Sequence, residues 1–319
     1  MKVIGRRRVL VAGAAALAAP ALAQGRAPLR LVVPFAPGGG VDALARFLAQ
    51  AIRTDHPAVV VENRPGGSGA VGGQAVQQAA PDGATLLFTA STHIMARQVM
   101  RRPPYDPITD FTAVAQFGEA PLLLVQHARL APATLRDLIA AARREPDRWT
   151  FGVSALGSPG HLATVGFNHL AGLDLPVAVY RGTAPALTDV AAGNIQLLFD
   201  PVVALLPMVR GGQVRGIAVA GARRTPLASD IPATAEAGLP GLDIATWYGL
   251  WGPRGMPAEV SARVAEAVGA VLRDPAMTER LAALGVEPTF RAGAAFEAFT
   301  RVEQARGAEL LRTARFEPE

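Results

Sequence analysis

Three consecutive glycines, Gly38, Gly39 and Gly40, stand between an apolar run at 31–33 and a segment where Val41, Leu44, Leu48 and Ile52 recur at helical spacing. That order of residue types makes a strand, a loop and a helix. A helix start exposes unpaired N–H groups and the positive end of the helix dipole. Glycine lets a ligand approach that backbone closely. The chemistry on offer is capture of a carboxylate or phosphate, although an ordinary strand-to-helix turn uses the same residues. A second junction of this kind, Ser154-Ala155-Leu156-Gly157-Ser158-Pro159-Gly160-His161, follows the apolar stretch 149–153. Pro159 suits a first helical turn. Between the two, Ala90-Ser91-Thr92-His93 follows a strand at 84–89. Small hydroxyl residues just past a strand's carboxyl end sit where open α/β sheets hold ligands, and they also cap helices.

Other chemistries find less support. Gly67-Ser68-Gly69-Ala70-Val71-Gly72 matches G-x-G-x-x-G between a strand and a helix. A dinucleotide site also needs an acid about 20 positions on, and residues 89–93 supply none, so the glycines are expected to serve close helix–strand packing. A serine hydrolase would use Ser68 or Ser154. Gly152-Val153-Ser154-Ala155-Leu156 lacks the last glycine of G-x-S-x-G, and no Ser/His/Asp spacing supports a triad. Cysteine is absent, which excludes disulfides, thiolate metal sites and cysteine nucleophiles. No metal or cofactor is expected.

The 319 residues suffice for two α/β lobes, and half of them are apolar against 18% charged, so a folded core is expected. Residues 1–23 read as an export signal: Lys2 and Arg6-Arg7-Arg8, an 11-residue apolar segment at 9–19, then Ala21-Leu22-Ala23, with cleavage expected before Gln24. The paired arginines also fit a twin-arginine signal, with Sec export the alternative. The expected location is the periplasm. The signal holds four of the 31 basic residues and none of the 26 acidic ones, so the remainder is nearly neutral. No basic stripe with interleaved aromatics occurs, and nucleic acid is not an expected partner.

The elements that must position these loops alternate. Strands are expected at 58–63, 84–89, 149–153, 177–180, 195–199, 214–220 and 246–252. Apolar runs at 112–118 and 122–126 are separated by Glu119-Ala120-Pro121. Helices are expected at 70–80, 134–144 (capped by Thr134), from Pro159, and at 185–192, 257–273, 274–284 and 294–313. The last carries Phe296, Phe299, Val302 and Leu310 on its apolar side. Such alternation predicts doubly wound parallel sheets.

Seven blocks then add up: LVVPFAPGGGVDALAR, VVVENRPGGSGAVGG, PDGATLLF, YDPITDFTAVAQ, FGVSALGSPGHLA, VYRGTAPALTDVAAGNIQLLFD and WYGLWGPRGMP. In this order they resemble the Bug family, the periplasmic substrate-binding proteins of tripartite tricarboxylate transporters. The resemblance spans 28–315. It implies a type II periplasmic binding protein fold, two doubly wound α/β lobes joined by two crossover strands with a ligand cleft between. Crossovers would lie near 121–126 and 245–251. Lobe one would be 24–122 plus 249–319, and lobe two 123–248. It also implies no catalytic residues, a small carboxylate ligand (a di- or tricarboxylate, an acidic amino acid or an aromatic acid) and membrane permease subunits as partners; a monomer is the default expectation. The rival to transport is a ligand-sensing receptor for a sensor kinase.

Carried over by the resemblance, the ligand-binding residues are Phe35, Ala36, Gly38 and Gly39 in the first loop, and Ala90, Ser91 and Thr92 in the second. The third gives Ser154, Gly157, Ser158 and His161, the fourth Tyr180 and Arg181, and the fifth Asp200. Asp42 matches too, but its place in a first helical turn favours a structural role. The H-x-x-N-P pattern usual after the second loop is replaced here by Ala96-Arg97, which points to a different ligand. Arg181 could pair a ligand carboxylate or an acid of the protein. Asp200 could meet a ligand hydroxyl or amine, or cap the next helix. A neutral, hydrogen-bonded His161 is the alternative to a ligand contact.

Overall fold

A computed structural model describes residues 28–52 and 57–319; the signal segment and its cleavage site lie outside the described residues. Strand β1 (Leu29–Val33) pairs in parallel with β2 (Val59–Asn63) and β3 (Thr85–Ala90). In a second group, β5 (Phe151–Val153) pairs in parallel with β6 (Val177–Val179) and β7 (Leu197–Pro201). Two antiparallel strands join the groups. The first part of β4 (Phe111–His127) runs against β9 (Ala245–Pro253), which also pairs with β3. The second part runs between β7 and β8 (Val214–Val219). The order is β2-β1-β3-β9-β4-β7-β5-β6, with β8 on β4. The sheets are therefore mixed rather than purely parallel, because β4 leaves the first group and β9 returns to it.

The break expected at Glu119-Ala120-Pro121 does not occur: β4 is one strand of 17 residues. Pro121 opposes Ala245 of β9, and the next residue, Leu122, opposes Pro201 of β7. A proline gives no N–H to a ladder and is tolerated where pairing changes hands. Register shifts at 113/115, 116/118 and 124/125 bend β4 as it changes partners.

Each group has its own aromatic core. Phe88 meets Phe117 edge-on at 5.6 Å in the first, and Phe151 stacks on Phe199 at 5.9 Å in the second. Helix α1 (Gly40–Ala51) buries Leu44, Phe47 and Leu48 on one face. Of the G-x-G-x-x-G glycines, Gly67 and Gly69 lie in the turn before helix α2 (Ala70–Gln77), at φ +54° and +93°, and Gly72 lies on the helix, where packing accounts for it as it does for the neighbouring Gly73. A Cβ on Gly72 would lie 2.7 Å from Pro34 Cβ, and one on Gly73 2.3 Å from the Tyr105 hydroxyl. The short α3 (Ala96–Val99) follows β3. Thr134 caps α4 (Leu135–Arg144) by accepting the Asp137 N–H. Helices α5 (Pro159–Ala171), α6 (Thr183–Ala192) and α7 (Val202–Arg210) follow β5, β6 and β7. Next come α8 (Ala258–Arg273), α9 (Pro275–Leu284) and α10 (Gly293–Thr313). The buried side of α10 is Phe296, Thr300, Gly307 and Leu311, while Val302 is 59% exposed. The expected stripe overlooked Gly307, which lets α10 approach Met95 and Leu162.

Candidate functional site

Four helices begin at one place. The starts of α1, α5, α6 and α7 lie beside Gly39, Ser158, Gly182 and Pro201, and all four residues line a single narrow cavity. Convergent N–H groups and dipoles make this space favourable to an anion, with no basic side chain among the described lining residues. The wall is completed by Phe35, Ala36, Gly40, Val41, Asp42, Ala90, Thr92, Ser154, Pro159, Thr183, Asp200 and Thr246. Water centres have about 20 Å³ inside it, room for roughly one molecule. Ala36 N–H donates to the Arg181 carbonyl at 3.0 Å, and Leu156 N–H donates to Ser68 Oγ at 3.0 Å. Gly182 sits at φ +127°, where a Cβ would be 3.2 Å from Ala36 N. Only glycine suits that crossing.

Of the residues expected to bind ligand, the structure brings Phe35, Ala36, Gly39, Ala90, Thr92, Ser154, Ser158 and Asp200 around this cavity. The other six lie outside its lining. Gly38 turns the loop at φ +86° and gives its N–H to Asp42 at 2.9 Å. Ser91 faces the groove beside α10. Gly157, at φ +73°, packs on Met95 and Val99. His161 Nδ1 accepts the Gly157 N–H at 3.1 Å, and its ring meets Phe316 edge-on. Burial pulls the His161 pKa down to about 4, so the ring is neutral and fixes the loop. Tyr180 donates to Asp189 at 2.6 Å. Arg181 contributes its carbonyl while the residue itself is exposed.

The carboxylates differ. Burial works to raise the Asp42 pKa, but hydrogen bonds from Arg46, Gly38 N–H and Asn63 outweigh it and hold the group below the ordinary range. Asp42 thus ties the first loop to β2 through Asn63 at 2.9 Å. Asp200, at the end of β7, is 3% exposed. Burial pushes its pKa up to about 7, opposed by the neighbouring Thr183 and Ser154 hydroxyls. Among the described residues its Oδ2 has no hydrogen-bond partner, and beside it the Thr246 and Tyr248 hydroxyls interact with each other. Burial, then the charge of Asp200, raise the Tyr248 pKa above the ordinary phenol range. Thr183 and Thr246 went unread in the sequence. Thr246 and Tyr248 are two apart on β9 and so share a face, which is the signal that could have found them.

These groups set a pH dependence. His93 lies among Tyr105, Phe111 and Trp251, and burial lowers its pKa to about 3. His93 and His161 bind protons more readily when unfolded, so they lose stability as pH falls below the ordinary histidine value. Asp200 binds its proton more readily when folded, so its contribution is greatest below the unfolded value near 4 and is lost as pH rises through about 7. The two effects oppose. Between pH 8 and 5 the wild type should lose roughly 1–2 kcal/mol, and Asp200→Asn, lacking the counterweight, roughly 4 kcal/mol. Urea titrations of both proteins at pH 8, 6.5 and 5 measure this. Parallel curves would contradict a raised Asp200.

Sheet groups joined by β4 and β9, with helix starts around a narrow cavity between them, define a solute-binding protein with the type II periplasmic binding protein fold. The pattern of the tripartite tricarboxylate transporter family receptors matches residues 43–314, and the chain belongs to that family. Protein BugT of Bordetella pertussis is 31% identical over 264 residues, 82% of this chain and 81% of BugT. Among solved structures, R. palustris Rpa4515 with adipate superposes with a TM-score of 0.86 at 34% identity, covering 93% of this chain and 100% of that one. MatC (Rpa3494) from Rhodopseudomonas palustris with bound malate gives 0.84 at 30%, covering 89% and 98%. The Bug resemblance drawn from the seven blocks therefore holds, and the chain is a periplasmic binding protein rather than an enzyme.

Proposed function

We propose that the cavity captures a small organic carboxylate for delivery to the membrane subunits of a tripartite tricarboxylate transporter. The observation that carries this reading is the convergence of four helix starts on one buried space with no basic side chain among its described lining residues. Rpa4515 with adipate and MatC with malate support it. A cavity with room for one water admits such a ligand only when its walls part. The change of pairing at Pro121 and Ala245 supports a hinge there, with lobe one at 24–122 plus 249–319 and lobe two at 123–248.

The test is a thermal-shift screen of residues 24–319 against di- and tricarboxylates, acidic amino acids and aromatic acids. A ligand at a hundred times its Kd should add about 2.7 kcal/mol, a rise of roughly 5–10 °C for a chain of this size. A rise that grows with concentration for one class supports the reading. No rise with any acid, before and after unfolding and refolding to strip a copurified ligand, overturns it.

A further inference from the structure

Ser68 holds a backbone conformation that suits glycine, and its side chain reaches from one sheet group to the other. We infer that Ser68 is a positioning residue for the binding site: its hydroxyl latches the loop at 154–158 to the first sheet group and so holds the cavity walls together, without touching the ligand. This rests on the hinge reading above.

Ser68 sits in the turn before α2, at φ +50° and ψ +37°, between Gly67 and Gly69. Among the described residues only Arg315, just past α10, is another non-glycine at positive φ. The left-handed region costs an L-residue free energy that glycine avoids. Such a residue persists where a contact compensates it, and that contact points to its role. Here Ser68 Oγ accepts the Leu156 N–H at 3.0 Å, from 88 positions away along the chain. Ser68 follows β2 of the first group, and Leu156 follows β5 of the second. Leu156 stands midway between Ser154 and Ser158, which line the cavity, whereas Ser68 does not. The Leu156 side chain joins the cluster of Ile94, Met95 and Val99 in the first group. The loop is thus gripped twice, by its backbone at Ser68 and by its side chain in that cluster. The bond from Ala36 N–H to the Arg181 carbonyl also crosses the cleft, but it is backbone at both ends and indifferent to side-chain type. The Ser68 bond depends on the hydroxyl, so position 68 tunes how firmly the walls stay together. When they part, both partners turn to water and the serine keeps only the cost of its backbone.

The chain has no cysteine. Gln74→Cys on α2 and Ala192→Cys on α6, both exposed, therefore place one spin label on each group. Double electron–electron resonance on residues 24–319 reads the distance between them, without added acid and then with each acid of the thermal-shift screen. Without acid, Ser68→Ala and Ser68→Gly should each raise the ratio of long to short distances about fivefold, the worth of one hydrogen bond. Both variants lack the hydroxyl, and only glycine also relieves the left-handed backbone, so their agreement assigns the effect to the hydroxyl. A serine with a merely structural role would change the melting temperature and leave the distances alone. An unchanged ratio in both variants overturns the inference and leaves the hinge standing, as does a change confined to Ser68→Gly. One fixed distance in all three proteins, with and without acid, overturns the hinge reading together with the inference.

Discussion

Ser158→Trp should lower affinity for any carboxylate by more than about a hundredfold, equivalent to roughly 2.8 kcal/mol. Ser158 is 2% exposed and lines a cavity with room for one water. An indole there fills the space and holds the walls apart. The change also has a cost in the fold. Ser158 Oγ accepts the His161 N–H at 3.1 Å and caps α5, and losing such a cap costs about 1 kcal/mol. Ser158→Ala isolates that term: it should show the same small loss of melting temperature with the cavity left open. Calorimetry and melting curves on both variants separate the two effects. Full affinity in a folded Ser158→Trp protein would place the ligand elsewhere.

Gly160→Ala should cost the most stability. A Cβ at Gly160 would sit 2.1 Å from the Phe199 carbonyl oxygen and 3.1 Å from its carbon. Both are backbone atoms of β7, so no rotamer change relieves the contact. Helix α5 would have to lift from the strand it covers and drag Ser158 with it. Overpacking of this severity costs about 3 kcal/mol or more, or roughly 5–10 °C in melting temperature. A melting temperature within one or two degrees of wild type would show that α5 sits farther from β7 than the structure places it.

The parts of the site that were legible in the sequence are the local ones. A glycine loop before an amphipathic helix, or Ser-Pro before another, announces a helix start from a few adjacent residues. Which side chains then face each other depends on register between distant strands. Asp200 meets Ser154 and Thr183 because β7 lies beside β5 and α6 follows β6, and no spacing along the chain encodes that. Arg181 shows another limit: the sequence displays a guanidinium, whereas the fold uses the backbone carbonyl. For His161 the residue types leave a ligand contact and a neutral, hydrogen-bonded ring both readable, and only the fold shows its Nδ1 taking the Gly157 N–H of its own loop. In the fold, the alternating elements were readable, but Pro121 suggested a break where tertiary pairing carries β4 straight through.

The return of β9 to the first sheet group sets an order of assembly. Every strand of the second group, from the latter part of β4 to β8, comes from one continuous stretch, 122–219, and can pair as soon as that stretch exists. The first group cannot. Residues 87–90 of β3 wait for 248–251, and the first part of β4 waits for the same strand. Contacts so far apart in sequence form slowly, and a strand without its neighbour presents an open edge to other chains. The half of the molecule made first is thus the half completed last, and its period of greatest exposure to a strand from another copy ends only when residues 245–253 arrive.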